Sequence, residues 1–173
     1  MAIWKQAKGW TYEVFPADAA PEEAGLFASL VELWQSKRQD GHLPAWKDFD
    51  FADFNGWYGK LRVGDFMPGC SDDYVYRLWG EGSVEFYGVE LTGKRMSEVD
   101  FGFDDDDRQL LRFVADEHRI TLGQGPVYWQ DRDHVEVAVI KLPLADDGKN
   151  VDKFLGAFQP MEEGLAAHCQ LSA

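Results

Sequence analysis

The sequence predicts an α+β fold: a five-stranded, mainly antiparallel sheet with helices on one face and an N-terminal helix. Apolar residues recur with helical spacing over residues 22–39, and they alternate with a period of two over 58–79 and again over 134–159. The stretch between the two strand regions is mostly helical. Strands at both ends favour pairing of the first strand with the last, with the helical middle covering one face of the sheet. A cavity is expected between the sheet and those helices.

Composition limits the classes of protein that fit this chain. Its 173 residues fit a single domain, and a hydrophobic content of 45% excludes global disorder. Seven Trp and twelve Phe can build a bulky core, line a pocket or form an association surface. The formal net charge of −14 disfavours binding to nucleic acid and to anionic membranes. We therefore expect neither as a partner.

The cysteines and the apolar stretches indicate a cytoplasmic protein with free thiols. Cys70 and Cys169 are far apart and form neither a CxxC pair nor a zinc pattern. The N-terminus lacks the apolar core of a signal peptide, and no stretch approaches the length of a membrane span.

The N-terminal part is predicted to contain an arm and a helix. Residues 1–20 form the arm, in which the alternation of WTYEV indicates a strand that pairs with a sheet edge or packs on a partner. Residues 22–39 form the helix, which stops at Gly41. The apolar stripe of this helix contains Leu26, Leu30, Leu33 and Trp34.

A hairpin follows the loop after this helix. Strands are predicted at 58–66 and 74–79, joined by the turn-rich segment PGCSDD. In the first strand, Leu61 and Val63 lie on one face, and Lys60 and Arg62 lie on the other.

Two helices are predicted next, at 80–88 and 104–118. Asp104 to Asp107 stand at the start of the second helix, where the helix dipole favours negative charge. A cation site is the alternative for these carboxylates, but the glycine and terminal glutamate of a calcium loop are missing. We favour the helix N-terminus.

Three strands complete the predicted domain, which spans residues 21–160. They are expected at 125–131, 134–144 and 151–159, with the turn Asp146-Asp147-Gly148 joining the last two. The tail, 161–173, is expected to be weakly helical or disordered.

Three segments carry a resemblance to a known family. They are LWQSKRQDGHLPAWKDFDF, YVYRLWGEGSVEFYGVELTGKRMSEV and VIKLPLADDGKNVDKFLGAF, in that order along the chain. The chain resembles a bacterial family of short stand-alone PAS-like proteins that is common in alphaproteobacteria, over about residues 30–160. Glu81 departs from the family pattern, which has a small hydroxyl residue there, and FYGVELTG replaces the usual FGRDLTG.

The resemblance implies a PAS-like fold and a role in signal sensing or protein interaction. It brings no catalytic residues, no cofactor and no common ligand.

Aromatic side chains fall on the elements that would face the predicted cavity. They line a small-molecule pocket, or they are simply core. The candidate ligand-binding residues are Tyr76, Leu78, Phe86, Tyr87, Phe113, Tyr128 and Arg77. Arg77 lies mid-strand, and it either pairs with a carboxylate such as Glu85 or Asp65 or anchors an anionic ligand.

Other candidate chemistry is weaker. His118 and His134 are the only well-placed histidines for haem or metal, and His118 stands among charged residues at the predicted end of a helix. Cys70 sits in a hairpin loop beside aspartates, without the asparagine-cysteine-arginine motif of flavin-binding PAS relatives. No nucleophile elbow or phosphate loop appears, so we expect no enzyme.

Two functions therefore remain. In the first, a PAS-type sensory module binds a small molecule between sheet and helices and signals through protein contacts. In the second, a ligand-free module acts by protein–protein interaction. In either case we expect a homodimer through the N-terminal arm and helix 22–39, with Trp4, Trp10 and Tyr12 at the interface, and a possible signalling protein as partner.

Overall fold

The structure, a computed structural model, describes residues 3–127 and 135–161. The described strands are β1 (Ile3–Ala7), β2 (Trp10–Phe15), β3 (Leu61–Phe66), β4 (Tyr74–Trp79), β5 (Ile120–Pro126), β6 (Glu136–Leu144) and β7 (Lys153–Met161). The described α-helices are α1 (Ala28–Ser36), α2 (Glu81–Tyr87) and α3 (Asp105–Ala115). Short 3-10 helices occupy Pro21–Phe27, Trp46–Asp48, Phe51–Phe54 and Met96–Glu98.

The strands form one antiparallel sheet in the order β1-β2-β5-β6-β7-β3-β4. The expected pairing of the first strand of the central domain with its last is confirmed, since Val63 lies opposite Leu155. The sheet has seven strands and not five, because the N-terminal arm folds into a hairpin that extends it past β5.

Each face of the sheet is covered by different helices. Side chains of α1 pack with Leu61 and Ile140 in one buried cluster. Side chains of α2 and α3 pack with Val137 and Phe154 in another, on the opposite face. The alternation of strand side chains separates the two clusters, because neighbouring residues in a strand point to opposite faces. A register shift interrupts it in the β3–β4 pair, between Val63 and Gly64.

Helix α1 is held to the sheet by Trp34. This side chain is fully buried, and its indole Nε1 donates a hydrogen bond of 2.9 Å to the carbonyl oxygen of Pro143. A buried indole N–H needs such a partner, and the backbone carbonyl of Pro143 is an ordinary acceptor. Leu30 is also fully buried, as expected, but Leu26 is 46% exposed. The reason is that residues 21–27 form a 3-10 helix with a break at Gly25, so Leu26 is not on the α1 stripe.

The prediction for β5 was wrong in its position. The strand runs over Ile120–Pro126, five residues earlier than the 125–131 expected, and α3 ends at Ala115. His118 has a positive φ of 56° and lies in the turn between them. Gly123 and Gly125 weakened the strand signal, although Ile120 and Leu122 alternate with Thr121. Residues 128–131 of the expected strand lie outside the described residues, as does the tail beyond Met161.

We expect Trp34→Phe to lower the free energy of unfolding by about 1–3 kcal/mol, since it leaves the Pro143 carbonyl buried without a donor. Urea denaturation measures the change. Trp46→Phe is the matched control, because Trp46 is only partly buried and its stacking on Phe54 is available to a phenyl ring. Equal losses in the two variants would show that the hydrogen bond contributes nothing.

Candidate functional site

A cavity of ≈ 160 Å³ lies between the sheet and the helices α2 and α3. Its floor is formed by residues of β3 to β7 whose side chains point away from α1, and its roof includes residues 101–104, Asp106, Asp107 and Leu110. Thr121, Lys141 and Gly156 belong to the floor. The predicted cavity between sheet and helices is therefore present.

One wall of the cavity is aromatic. Tyr74, Tyr76 and Trp79 stand on the same face of β4, and Tyr87 ends α2 against them. Their ring centroids are 4.9 Å apart for Tyr74 and Tyr76, 5.2 Å for Tyr76 and Trp79, and 5.3 Å for Trp79 and Tyr87. The first two of these contacts are edge-to-face, the geometry that the ring quadrupole favours. Trp79 is further fixed by a hydrogen bond of 2.8 Å from Nε1 to the carbonyl of Val89.

Arg62 lies within an aromatic cage at this wall. Its guanidinium carbon is 4.4 Å from the ring centroid of Trp79, 4.6 Å from that of Tyr87 and 5.1 Å from that of Phe158. The Nε and Nη2 atoms of Arg62 are buried and have no hydrogen-bond partner among the described residues. The cation–π contacts stabilise the charge but leave these donors unsatisfied.

Lys141 supplies a second cation on the cavity floor. Burial lowers its pKa to about 8, and the positive charge of Arg62 acts in the same direction, whereas the carboxylate of Asp107 opposes the shift. Its Nζ atom is 5.9 Å from the ring centroid of Phe154. At neutral pH the side chain is mostly charged, so Arg62 and Lys141 are two cations in the cavity in addition to Lys8 of the arm.

Asp107 is the carboxylate that acts on the titration of Lys141. Burial raises its pKa, and the positive charge of Lys141 opposes that rise. One carboxylate oxygen, Oδ2, accepts a hydrogen bond of 2.9 Å from the backbone N–H of Asp104. One oxygen of Asp107 is therefore used in the hydrogen bonding at the start of α3. Among the described residues, Asp107 forms no ion pair with Arg62 or Lys141.

The two tyrosines of the wall are neutral hydrogen-bonding groups. Burial raises the pKa of Tyr74 well above its usual range, and burial raises that of Tyr76 to about 12. Both hydroxyls therefore remain protonated at physiological pH, and the two hydroxyls interact with each other.

The start of α3 forms part of the roof, and its acidic run has a structural role. The side chain of Asp104 caps the helix by accepting hydrogen bonds from the backbone N–H groups of Asp106 and Asp107. Lys8 pairs with Asp104 and Lys5 pairs with Asp106, each at 2.6 Å. The helix N-terminus that we favoured for Asp104–Asp107 is thus observed, and the arm is tied to it.

The N-terminal hairpin closes another side of the cavity. The ring of Trp10 lies directly over Gly125, where an added Cβ would approach Trp10 Cγ to 2.5 Å, and it stacks on Tyr12 with centroids 5.9 Å apart. Trp4 packs edge-on against Phe113 at 5.3 Å. The three aromatics expected at a dimer interface therefore contact the chain's own β5 and α3.

The predicted ligand-binding residues have different outcomes. Tyr76 and Tyr87 line the cavity. Phe86 packs behind Tyr87 at 4.8 Å, Leu78 points to the α1 side of the sheet, and Phe113 contacts Trp4. These three do not line the cavity. Tyr128 lies outside the described residues, as do His134 and Cys169.

Arg77, the candidate anchor for an anionic ligand, does not line the cavity. It is exposed, and its Nη1 forms an ion pair of 2.9 Å with Asp65 Oδ2 on the neighbouring strand. Of the two carboxylates predicted as possible partners of Arg77, Asp65 is the one that pairs with it. Cys70 lies in the β3–β4 turn, as expected, and its thiol donates to Asp72 Oδ1 at 3.1 Å.

The charged residues of the cavity were missed. Alternation placed Arg62 opposite Leu61 and Val63, and continuing the alternation from Val137 and Val139 would have placed Lys141 on the same face. What the sequence alone lacked was the strand register that brings them together.

Comparisons with known proteins bear on the fold. No family model matches the sequence, and no curated protein matches it. A solved structure described as "Structure of an RNA-binding Light-Oxygen-Voltage Receptor" is similar, with 12% identity and a TM-score of 0.50 over 93% of this chain. The chain has a PAS-type fold. This PAS-type chain spans 41% of the length of that receptor.

A second solved structure belongs to the same class of domain. It is described as "Flavin Analogue Sheds Light on Light-Oxygen-Voltage Domain Mechanism", and it has 15% identity and a TM-score of 0.48, covering 70% of this chain and 91% of its own. The five-stranded sheet expected from the sequence is extended to seven strands in this PAS-type domain. Within the described residues, no helix has the length and apolar character needed to cross a membrane.

The titration of Lys141 gives a pH prediction. A lysine in the unfolded chain keeps its ordinary pKa of 10.5, so between about 8 and 10.5 the unfolded chain binds more protons than the folded chain. The free energy of unfolding should therefore rise with pH across this interval, by at most about 1.4 kcal/mol per pH unit. The charged groups that act on Lys141 are Asp107 on α3 and Arg62 on β3.

Urea denaturation from about pH 7.5 to about pH 9 tests this, before most of the tyrosine ionisation in the unfolded chain. Lys141→Met should remove the rise relative to the unmodified protein, and Lys149→Met, which changes an exposed lysine, should retain it. Parallel pH profiles for all three proteins would contradict the prediction.

Proposed function

We propose that this chain is a PAS-type sensory module that binds a small molecule in the cavity between sheet and helices and signals through protein contacts. The observation that supports this most strongly is the guanidinium of Arg62, buried against three aromatic rings at the cavity wall without a hydrogen-bond partner among the described residues. A buried donor without a partner is costly in a structural core, whereas a ligand acceptor would remove that cost.

The size of the cavity limits the ligand. A cavity of about 150 Å³ lined by apolar side chains holds a benzene molecule. The observed ≈ 160 Å³ is therefore suited to a ligand with one ring or a short chain. No catalytic residue and no cofactor are part of this proposal.

The N-terminal hairpin offers a route from the cavity to a partner. Trp10 and Lys8 belong to the hairpin and also line the cavity. A ligand that contacts them would stabilise one position of the hairpin over others and shift the population toward it. We propose that this signal passes to a second copy of the chain, or to another signalling protein, in the cytoplasm.

Ligand screening tests the binding function. A ligand present at about 100 times its Kd should raise the melting temperature by roughly 5–11 °C. Val139→Phe fills the cavity and should abolish the shift, while Val151→Phe, which adds the same volume at the other face of the sheet, should preserve it. An unmodified protein that no small metabolite stabilises, and from which denaturation releases no bound molecule, would contradict the proposal.

A ligand-free interaction module is the alternative function, and exposed apolar side chains favour it. Ile3 on the edge strand β1 is 54% exposed, and Leu26 is 46% exposed. Both belong to the segments that we expected to form a homodimer, and neither is needed in the chain's own core. Dimerisation would remove this apolar surface from water.

Light scattering tests the homodimer. Ile3→Lys and Leu26→Lys should each shift the protein toward the monomer, because a charge would be buried at the interface. Phe51→Lys is the control, since Phe51 is exposed but lies outside those segments. A dimer that resists both substitutions, or a monomer in the unmodified protein, would rule out this interface.

A further inference from the structure

Arg62 and Lys141 are brought together by strand register. Arg62 lies opposite Gly156 on β7, and Gly156 lies opposite Lys141 on β6. The three residues therefore form one row across three adjacent strands, on the face that lines the cavity. Two strand spacings separate the Cα atoms of Arg62 and Lys141 by about 10 Å.

The residue between the two cations has no side chain. Gly156 lines the cavity, and the ring of Phe154 and the carbonyl oxygen of Ile140 come within 3.3 Å of the place where a Cβ would stand. Long side chains on both sides of a residue that has none can converge on one group bound above the row. A carboxylate or another small anion at this position would be within reach of both cations.

Among the described residues, neither Arg62 nor Lys141 has a carboxylate partner at ion-pair distance. No ion pair or hydrogen bond involves the side chain of Arg62 or Lys141 in the described part of the chain. Both lie beside aromatic rings, which stabilise a cation without neutralising it. Lys8, Asp104 and Asp106 also line the cavity, but Asp104 is paired with Lys8 and Asp106 with Lys5. With these two pairs cancelled, and with Asp107 counted as ionised, Arg62 and Lys141 leave one excess positive charge.

We propose that the row Arg62–Gly156–Lys141 is an anion-binding subsite, and that the ligand of the cavity is a small monocarboxylate carrying one aromatic ring or a short apolar chain. A single negative charge balances the excess charge. The planar guanidinium offers two unsatisfied donors in the fork geometry that a carboxylate accepts. The aromatic wall and Val137 provide an apolar surface for the rest of the ligand.

This inference rests on the proposed function and makes it specific. The net charge of the chain, −14, opposes the approach of any anion. Binding of a carboxylate would therefore depend on these local cations and not on the general field of the protein.

Isothermal titration of the unmodified full chain with benzoate, benzamide and toluene tests the ligand class without any substitution. The three probes share a ring of similar size and differ in charge. Benzoate should bind about tenfold to a hundredfold more tightly than benzamide, the range expected for hydrogen bonds to charged groups. Phenyl phosphate is a fourth probe, which distinguishes a carboxylate subsite from one that prefers a dianion.

Substitutions then test whether Arg62 and Lys141 supply the positive charge that binds the carboxylate. Arg62→Gln and Lys141→Gln should each weaken benzoate binding by about tenfold or more and leave toluene binding little changed. Arg62→Lys should recover part of the loss, because it keeps the charge but not the fork. Arg77→Gln is the matched control on the neighbouring strand and should bind benzoate normally, since Arg77 is exposed and paired with Asp65.

The outcomes separate this inference from the proposed function. Equal affinity for benzoate, benzamide and toluene would overturn the anion subsite and leave a small-molecule cavity. Tighter binding of phenyl phosphate would overturn the monocarboxylate. If none of the four probes binds, the ligand class is wrong, and the broader ligand screen then decides whether the cavity binds small molecules at all.

Discussion

The pairing of β3 with β7 is the constraint on which the rest of this structure depends. It joins two segments about ninety residues apart in the sequence, and it places the β3–β4 hairpin beside the C-terminal strands. Only in this arrangement do the aromatic residues of β4 face the floor residues of β5 and β6 across one surface. The same pairing aligns Arg62 with Gly156 and, through β7, with Lys141.

The two faces of the sheet have different chemistry because each strand alternates. Toward α1 the strands contribute a continuous apolar layer that includes Leu61, Ile140 and Leu155. Toward α2 and α3 the same strands contribute Arg62, Lys141 and Gly156, and here the packing leaves a cavity. A dry layer on one face can stabilise the sheet while the other face carries charges that a packed core would not tolerate.

The sequence was sufficient for much of the fold. Alternation and turn residues predicted β3, β4, β6 and β7 closely, and the acidic run predicted the start of α3. The position of β5 was missed because Gly123 and Gly125 are poor strand formers. Their place in the strand follows from a long-range contact, since Trp10 lies where side chains would otherwise stand.

The candidate site was only partly predictable, for a related reason. Aromatic residues such as Tyr76 and Tyr87 could be assigned to the cavity from their elements alone. Arg62 could be assigned to a face but not to a partner, because its relation to Lys141 depends on the register of three strands. From the sequence, Arg77 appeared as suitable a ligand-binding residue as Arg62. Its ion pair with Asp65 shows that an arginine in the middle of an edge strand can instead pair with a carboxylate on the neighbouring strand.

The N-terminal hairpin also determines how the sheet ends. Without β1 and β2, the backbone of β5 would present a row of free N–H and C=O groups flanked by small residues, a surface on which other chains assemble as added strands. With them, the edge is the short strand β1, which carries Lys5 and an irregularity in register between Ile3 and Lys5. Proteolytic removal of about the first fifteen residues would therefore expose the edge of β5 and promote aggregation by strand addition.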